Sequence, residues 1–238
     1  MTRRRWIADE VSGTRAVLTG AHADHLSRVL RARVGQEFDV TTGNEVRRGR
    51  VTAIAQDRVE FELGESVSAP VAVQVTIALS VFKFDRMEWA IEKCTELGAT
   101  RIVPVIARRT ETHLASAAAR RVDRWRRIAL QAAEQSRRVS PPEISDPMKP
   151  KDAVALPGGL RVVLSESETK MTLKDVVQSD SRHGDVVLAL GPEGGWTDEE
   201  LKSFHEAGWI SASLGGTILR AETAAIASLA VVFAELQA

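Results

Sequence analysis

From Val71 to the end of the chain, short apolar runs alternate with segments of helical periodicity. Val71–Ser80, Arg101–Ile106, Arg161–Leu164, Asp185–Leu190 and Trp209–Leu214 read as buried strands. A parallel pair of strands needs a long crossover, usually a helix, so this alternation points to an α/β layer built on a largely parallel sheet. Asp85 with Glu88 three residues on reads as a helix start, and Gly98 as its stop. Between them Met87, Ile91, Cys94 and Leu97 fall on one face. Ala117–Arg138 reads as a long basic helix halted by Pro141-Pro142, Thr197 with Glu200 as a helix cap, and Ala221–Leu236 as an apolar final helix.

The first 65 or so residues follow a different rule. Ala16–Thr19, Glu37–Thr41, Val46–Ile54 and Arg58–Leu63 are closely spaced strands with turn residues between them, the pattern of a small barrel or sandwich. One helix interrupts them, His22–Ala32, with Leu26, Val29 and Leu30 on its apolar side. The polar stretch Gly64–Pro70 separates the two regimes. The expected division is a domain of residues 1–68 and a second of residues 71–238.

Charge is where composition enters the argument. The 32 Lys+Arg balance 32 Asp+Glu, and a neutral total would seem to exclude a nucleic-acid partner. Residues 1–50 carry +4 and residues 101–140 carry +7, whereas residues 51–65, 66–100 and 141–238 carry −3, −1 and −7. Arginine supplies 25 of the 32 bases, and its planar fork suits phosphate contact and base stacking better than lysine does. Such asymmetry points to a polyanion, although a genome that favours arginine codons would also give arginine-rich solvated faces.

Several function classes drop out. The single cysteine, Cys94, rules out an intrachain disulfide framework and a Cys-clustered metal site. No His/carboxylate spacing suggests a metal, and Asp198-Glu199-Glu200 reads as charge favourable to a helix N-terminus. His22, His25 and His113 read as ordinary surface or packing histidines. The chain has no tyrosine, so no phenol serves as acid or base. The C-terminal apolar stretch contains Arg220 and Glu222 and makes no clean membrane span. The basic Met1–Trp6 lacks the apolar core of a signal peptide, and the expected location is the cytoplasm.

Two loops carry the chemistry. Leu190-Gly191-Pro192-Glu193-Gly194-Gly195-Trp196-Thr197 follows an apolar strand and precedes a capped helix. Ligands of open α/β sheets bind beyond the carboxyl ends of strands, and glycines there let backbone approach a ligand closely. The loop is neither a P-loop nor G-x-G-x-x-G, which disfavours a triphosphate or dinucleotide cradle. A plain tight turn would also use glycine, but Glu193 is a poor residue for mere turn chemistry, so it is a candidate polar contact or base. The second loop is Leu214-Gly215-Gly216-Thr217-Ile218-Leu219-Arg220, again between a strand and a helix. Ile218 and Leu219 offer an apolar wall. Arg220 at a helix start opposes the helix dipole, so it serves either the pocket or an ion pair with Glu222 or a remote carboxylate.

Gly191-Pro192-Glu193-Gly194-Gly195, followed by Leu214-Gly215-x-x-Ile218-Leu219-Arg220-Ala221-Glu222-Thr223-Ala224, resembles the SPOUT methyltransferases. More narrowly, it resembles the ribosomal RNA small subunit methyltransferase E family. The likeness runs the length of the chain, through His25-Leu26-x-x-Val29-Leu30-Arg31 with Gly35 and Lys83-x-x-x-Met87. It continues through Glu92-Lys93-x-Thr95-Glu96-Leu97-Gly98, Arg124-Trp125-x-x-Ile128 and Ala132-Ala133-Glu134-Gln135-Ser136-x-Arg138. Arg137 departs from the family, where glycine is common.

The resemblance implies an N-terminal PUA-like β-barrel for RNA, a C-terminal α/β domain with a trefoil knot, and a homodimer. It implies S-adenosyl-L-methionine as cofactor and N3 of a uridine in 16S ribosomal RNA, naked or in the assembled small subunit, as the methyl acceptor. The cofactor would lie among three loops: Leu164, Ser165 and Glu166; Leu190–Gly195 (Leu190, Gly191, Pro192, Glu193, Gly194, Gly195); and Leu214, Gly215, Ile218, Leu219, Arg220 and Thr223. Uridine N3 exposes its lone pair only after losing a proton, so the site needs a base or a cation beside the carbonyl oxygens. Glu193 fits the first role, and Arg220 or Arg138 the second. RNA would meet Arg3, Arg4, Arg5, Arg28, Arg31 and Arg33 in the first domain and Lys83, Arg124, Arg137 and Arg138 in the second. Two alternatives stay open: a SPOUT enzyme for transfer or large-subunit RNA, and a non-catalytic RNA-binding assembly factor.

Overall fold

The computed structural model describes residues 5–42, 45–55, 57–67, 73–136, 138, 140–179 and 184–236. Arg3, Arg4 and Arg137 lie outside the described residues, as does the side chain of Arg5. The chain divides into two units, residues 1–72 with 137–139, and residues 73–136 with 140–238.

The first unit is a six-stranded sheet in the order β1-β4-β5-β6-β3-β2. Its strands are β1 (Arg5–Ile7), β2 (Glu10–Ser12), β3 (Arg15–Thr19), β4 (Glu37–Thr42), β5 (Glu45–Ile54) and β6 (Arg58–Val67). Every pair is antiparallel except β1 with β4. In β6 the alternating Val59, Phe61 and Leu63 turn inward to Trp6, Leu18, Leu26, Phe38, Val40 and Val51. Gly49 makes this possible, since a Cβ there would stand 2.5 Å from Val40 Cγ2. Strand β6 runs to Val67, so the polar stretch Gly64–Pro70 is not a linker throughout.

The expected helix His22–Ala32 is corrected. A short helix α1 (Gly20–Asp24) runs into a π-turn over His25–Val29, closed by Leu30 N donating to His25 O at 3.0 Å. The wider turn breaks the 3.6-residue register: Leu26 stays buried, while Val29 swings out to 65% exposure.

The second unit is a six-stranded sheet in the order β12-β10-β11-β7-β8-β9 with every pair parallel. In chain order it contains β7 (Val75–Ser80), α2 (Phe84–Leu97), β8 (Arg101–Val105), α3 (Thr112–Gln135), β9 (Glu143–Ile144) and α4 (Pro150–Ala153). It continues with β10 (Leu160–Leu164), α5 (Leu173–Ser179), β11 (Val186–Leu190), α6 (Asp198–Glu206), β12 (Ile210–Ala212) and α7 (Ala221–Leu236). The central strands are apolar without a break because both faces are covered. Ile77, Leu79, Ile102, Val162, Leu188 and Leu190 pack against α2, α3, α5 and α7. On the opposite face Ala78, Val103, Val163, Val187 and Ala189 meet Trp196, Phe204 and Trp209 around α6.

The Thr197–Glu200 capping box forms, with both reciprocal hydrogen bonds made. The expected Asp85/Glu88 start does not serve as a cap: α2 begins at Phe84 after Lys83, with no side-chain cap. Leu97 is also displaced from the expected core face and is 38% exposed, whereas Ala90 and Thr95 are buried. The long helix runs from Thr112 to Gln135, not from 117 to 138, and Ser136 Oγ closes it by donating to Ala132 O at 2.6 Å. Gly98 caps α2 in the left-handed conformation, and its missing Cβ leaves room for Phe233 of α7.

Candidate active site

Pairing across the parallel sheet brings Leu79, Leu190, Leu164 and Ala212 level, at the carboxyl ends of β7, β11, β10 and β12. The loops that follow β10, β11 and β12 therefore open side by side, where ligands of open α/β sheets bind. Together they line a cleft of about 870 Å³.

Thirteen of the sixteen residues expected at the catalytic and cofactor positions line this cleft. They are Leu164, Ser165 and Glu166; Leu190, Gly191, Pro192, Glu193 and Gly195; and Leu214, Gly215, Ile218, Leu219 and Arg220. Three do not. Gly194 lies within the second loop with its carbonyl turned to Arg109. Thr223 is exposed on α7, while Ala221 and Ala224 of the same helix face the cleft. Arg138 falls in the segment 137–139 that groups with the first unit. It is half-buried, and that burial lowers its pKa.

The loop after β11 is a tight turn closed by Gly195 N donating to Pro192 O at 2.8 Å. Gly195 has φ +69°, which suits glycine. At Gly191 the constraint is space, since a Cβ would lie 3.2 Å from both Gly195 C and Trp196 N. Loop 165–171 is held by Glu168, whose Oε1 accepts from Lys170 N at 2.7 Å and Met171 N at 3.2 Å; these bonds hold its carboxyl below the usual carboxylate range. Arg220 immediately precedes α7 and has no ion-pair partner among the described residues. The alternative that it pairs with Glu222 does not hold.

Two residues escaped the sequence reading. Arg109, in the loop after β8, donates from Nη1 to Gly194 O at 2.6 Å and Trp196 O at 3.3 Å. Arg86, in the first turn of α2, donates from Nη1 to Glu193 Oε1 at 3.4 Å, and its Nε lies 3.8 Å from Glu222 Oε1. Both border the cleft. Arg86 carries the same signal that singled out Arg220, a cation in a helix's first turn against the dipole.

Residues 69–233 match the model of the RNA methyltransferase domain family. The chain is 33% identical to ribosomal RNA small subunit methyltransferase E of Synechocystis, over 96% of this chain and 76% of that protein. The chain belongs to the ribosomal RNA small subunit methyltransferase E family. A crystal structure of that family's member from Neisseria gonorrhoeae, bound to S-adenosyl methionine, is 29% identical with a TM-score of 0.67, covering 98% of each chain. A Legionella pneumophila structure of a methyltransferase with bound cofactor is 27% identical with a TM-score of 0.65, again covering 98% of each.

The basic residues expected to meet RNA are spread over both units. Arg28, Arg31 and Arg33 are exposed around the π-turn, with Arg28 3.3 Å from Asp24. Arg31 has φ +53°, the one non-glycine positive φ among the described residues. Lys83 is exposed before α2. Arg124 is engaged within its own unit, donating from Nε and Nη2 to the Glu88 carboxylate at 2.6 and 2.7 Å. Among the described residues no group of three His, Cys, Asp or Glu could hold a metal, and no helix is long and apolar enough to cross a membrane.

Proposed function

We propose that this chain transfers a methyl group from S-adenosyl-L-methionine to N3 of a uridine in 16S ribosomal RNA of the small subunit. We further propose that it does so as a homodimer in the cytoplasm. Family membership supports the reaction class. The observation that carries the reading is the cleft itself, in which three loops from adjacent strand ends surround a carboxylate, Glu193, paired with a guanidinium.

The lining fits the cofactor. Leu164, Leu190, Leu214, Ile218 and Leu219 offer apolar walls for a purine, and the cleft's size suits a small-molecule ligand. Glu166 and Glu168 oppose the positive sulfonium and ammonium. When bound, S-adenosylmethionine supplies an activated methyl carbon, whose bond to sulfur breaks as the bond to nitrogen forms and a neutral thioether leaves. The chain's own work is to orient, exclude water and move a proton. Glu193 accepts the N3 proton of the imide and passes it to solvent. Arg220, bordering the same cleft, donates to the uridine carbonyl oxygen that gains charge as that proton leaves.

In this reading residues 1–68 form a PUA-like β-barrel that binds RNA, and residues 71–238 form a SPOUT domain whose C-terminal segment is tied in a trefoil knot. The mainly antiparallel sheet of the first unit and the wholly parallel sheet of the second are compatible with those two folds. Arg28, Arg31, Arg33 and Lys83 supply exposed charge for phosphates, which gives affinity, while RNA shape and base edges give selectivity.

Calorimetry with S-adenosylmethionine and a methylation assay test the reading on Glu193→Gln. Cofactor affinity should hold while methyl transfer falls by roughly a hundredfold, the usual worth of a positioned base. Near-full transfer would remove Glu193 from this role. Cofactor binding by the parent chain without any transfer to RNA would favour a non-catalytic assembly factor.

A further inference from the structure

Arg86 stands between two carboxylates that are remote from it in sequence. On one side is Glu193 of the cleft, whose Oε1 accepts from Arg86 Nη1 at 3.4 Å. On the other is Glu222 in the first turn of α7, whose Oε1 lies 3.8 Å from Arg86 Nε. Glu222 is 6% exposed, and its Oε2 is buried with no hydrogen-bond partner. A carboxylate removed from water is costly unless a cation compensates it, and the cation here is Arg86. The helix dipole favours an acid in the first turn of α7, but it does not require that acid to be buried with one oxygen unpartnered.

We propose that Arg86 is the positioning residue of the reaction, fixed from behind by buried Glu222 and holding the Glu193 carboxylate at the angle from which it meets the acceptor. The relay reads Glu222 to Arg86 to Glu193, three residues on α7, α2 and the loop after β11. The guanidinium fork suits the role because its separate N–H groups serve two carboxylates from one planar group, which a lysine ammonium on a flexible stem does less well. Glu222 points at Arg86 and not at Arg220, which leaves Arg220 unengaged at the cleft edge for the acceptor.

This inference rests on Glu193 acting as the base. Steady-state methylation kinetics on the full chain test it with Arg86→Met, Arg86→Lys, Glu193→Gln and the double variant Arg86→Met/Glu193→Gln. Arg86→Met should lower kcat by at least about tenfold, the scale of a displaced catalytic group. The KM values for cofactor and RNA should stay within about twofold, because ground-state binding does not use Arg86. Arg86→Lys should recover part of the loss. In the Glu193→Gln background Arg86→Met should cost nothing more, because a residue that acts through another has no effect once that other is gone.

Unchanged kcat in Arg86→Met, or an additive loss in the double variant, overturns the relay. Should Arg86→Met fail to fold with Glu222 unpaired, Arg86→Met/Glu222→Gln removes the buried charge and carries the same prediction. The two failures separate cleanly. Glu193→Gln retaining full rate refutes the base, whereas Glu193→Gln inactive beside fully active Arg86→Met refutes the positioning alone.

Discussion

Arg109 ties the turn after β11 to the loop after β8, its Nη1 donating to the carbonyl of Gly194 at 2.6 Å and also reaching Trp196 O. A backbone carbonyl bound by a guanidinium cannot rotate away, so the turn that carries Glu193 is held before any ligand arrives. Arg109 is exposed, and solvent screening reduces what the contact contributes. Arg109→Ala should cost about 1 kcal/mol in cofactor binding, roughly fivefold in Kd, with little change in the thermal midpoint. Calorimetric titration with S-adenosylmethionine reads this directly, and unchanged affinity would remove Arg109 from the site.

Gly191 is set by space. A methyl group there would stand 3.2 Å from the backbone at Gly195 and Trp196, and backbone on the far side of a closed turn yields less than a side chain end would. Gly191→Ala should widen the turn and weaken the cofactor at least about tenfold, while circular dichroism stays that of the parent, because the strain falls on a surface loop. Retained affinity would show that the loop has more slack than its geometry indicates.

Arg31 keeps a backbone conformation that costs an L-residue on the order of 1 kcal/mol or more. Arg31→Gly should leave the thermal midpoint of the chain unchanged or raised, and should weaken RNA binding. Binding should also fall steeply with salt, with the slope of log K against log salt reduced by about one in the variant, as expected when one phosphate contact is lost. Equal slopes in parent and variant would place RNA elsewhere.

Glu168 gives a pH dependence with a fixed sign. Hydrogen bonds from Lys170 N and Met171 N hold its folded pKa below the reference value of 4.5. A lowered carboxyl stabilises the folded loop above pH 4.5 and loses that contribution as pH falls through the lower folded value. The carboxyl carbon of Glu168 should therefore titrate below 4.5 by NMR. Glu168→Gln should show a smaller acid loss of stability than the parent. Titration at or above the reference value would mean that loop 165–171 is not closed in solution.

The legible parts of the sequence were those governed by local rules. The apolar run that ends in glycine marked Leu190, because a strand buried on both faces cannot hide its end, whereas the edge strand expected over Trp209–Leu214 spans only Ile210–Ala212. The box at Thr197 and Glu200 and the bounds of α7 also follow from local chemistry. The π-turn was not legible, since the wider winding after His25 depends on how Leu26 docks into the first unit's core, and periodicity still paired Val29 with it. Arg86 was legible only as a cation at a helix start, and its partners were not. Its partners Glu193 and Glu222 meet it only because β7 and β11 pair in register and α7 packs back on α2, and spacing along the chain encodes neither relation.

The central claim is the identity of the product. Purified chain, S-adenosylmethionine carrying a labelled methyl group, and small subunits from cells lacking this enzyme should yield labelled 3-methyluridine when the 16S RNA is digested and its nucleosides are resolved by mass spectrometry. Label on any other base or ring position, or no label on small-subunit RNA while transfer or large-subunit RNA is modified, would contradict the account.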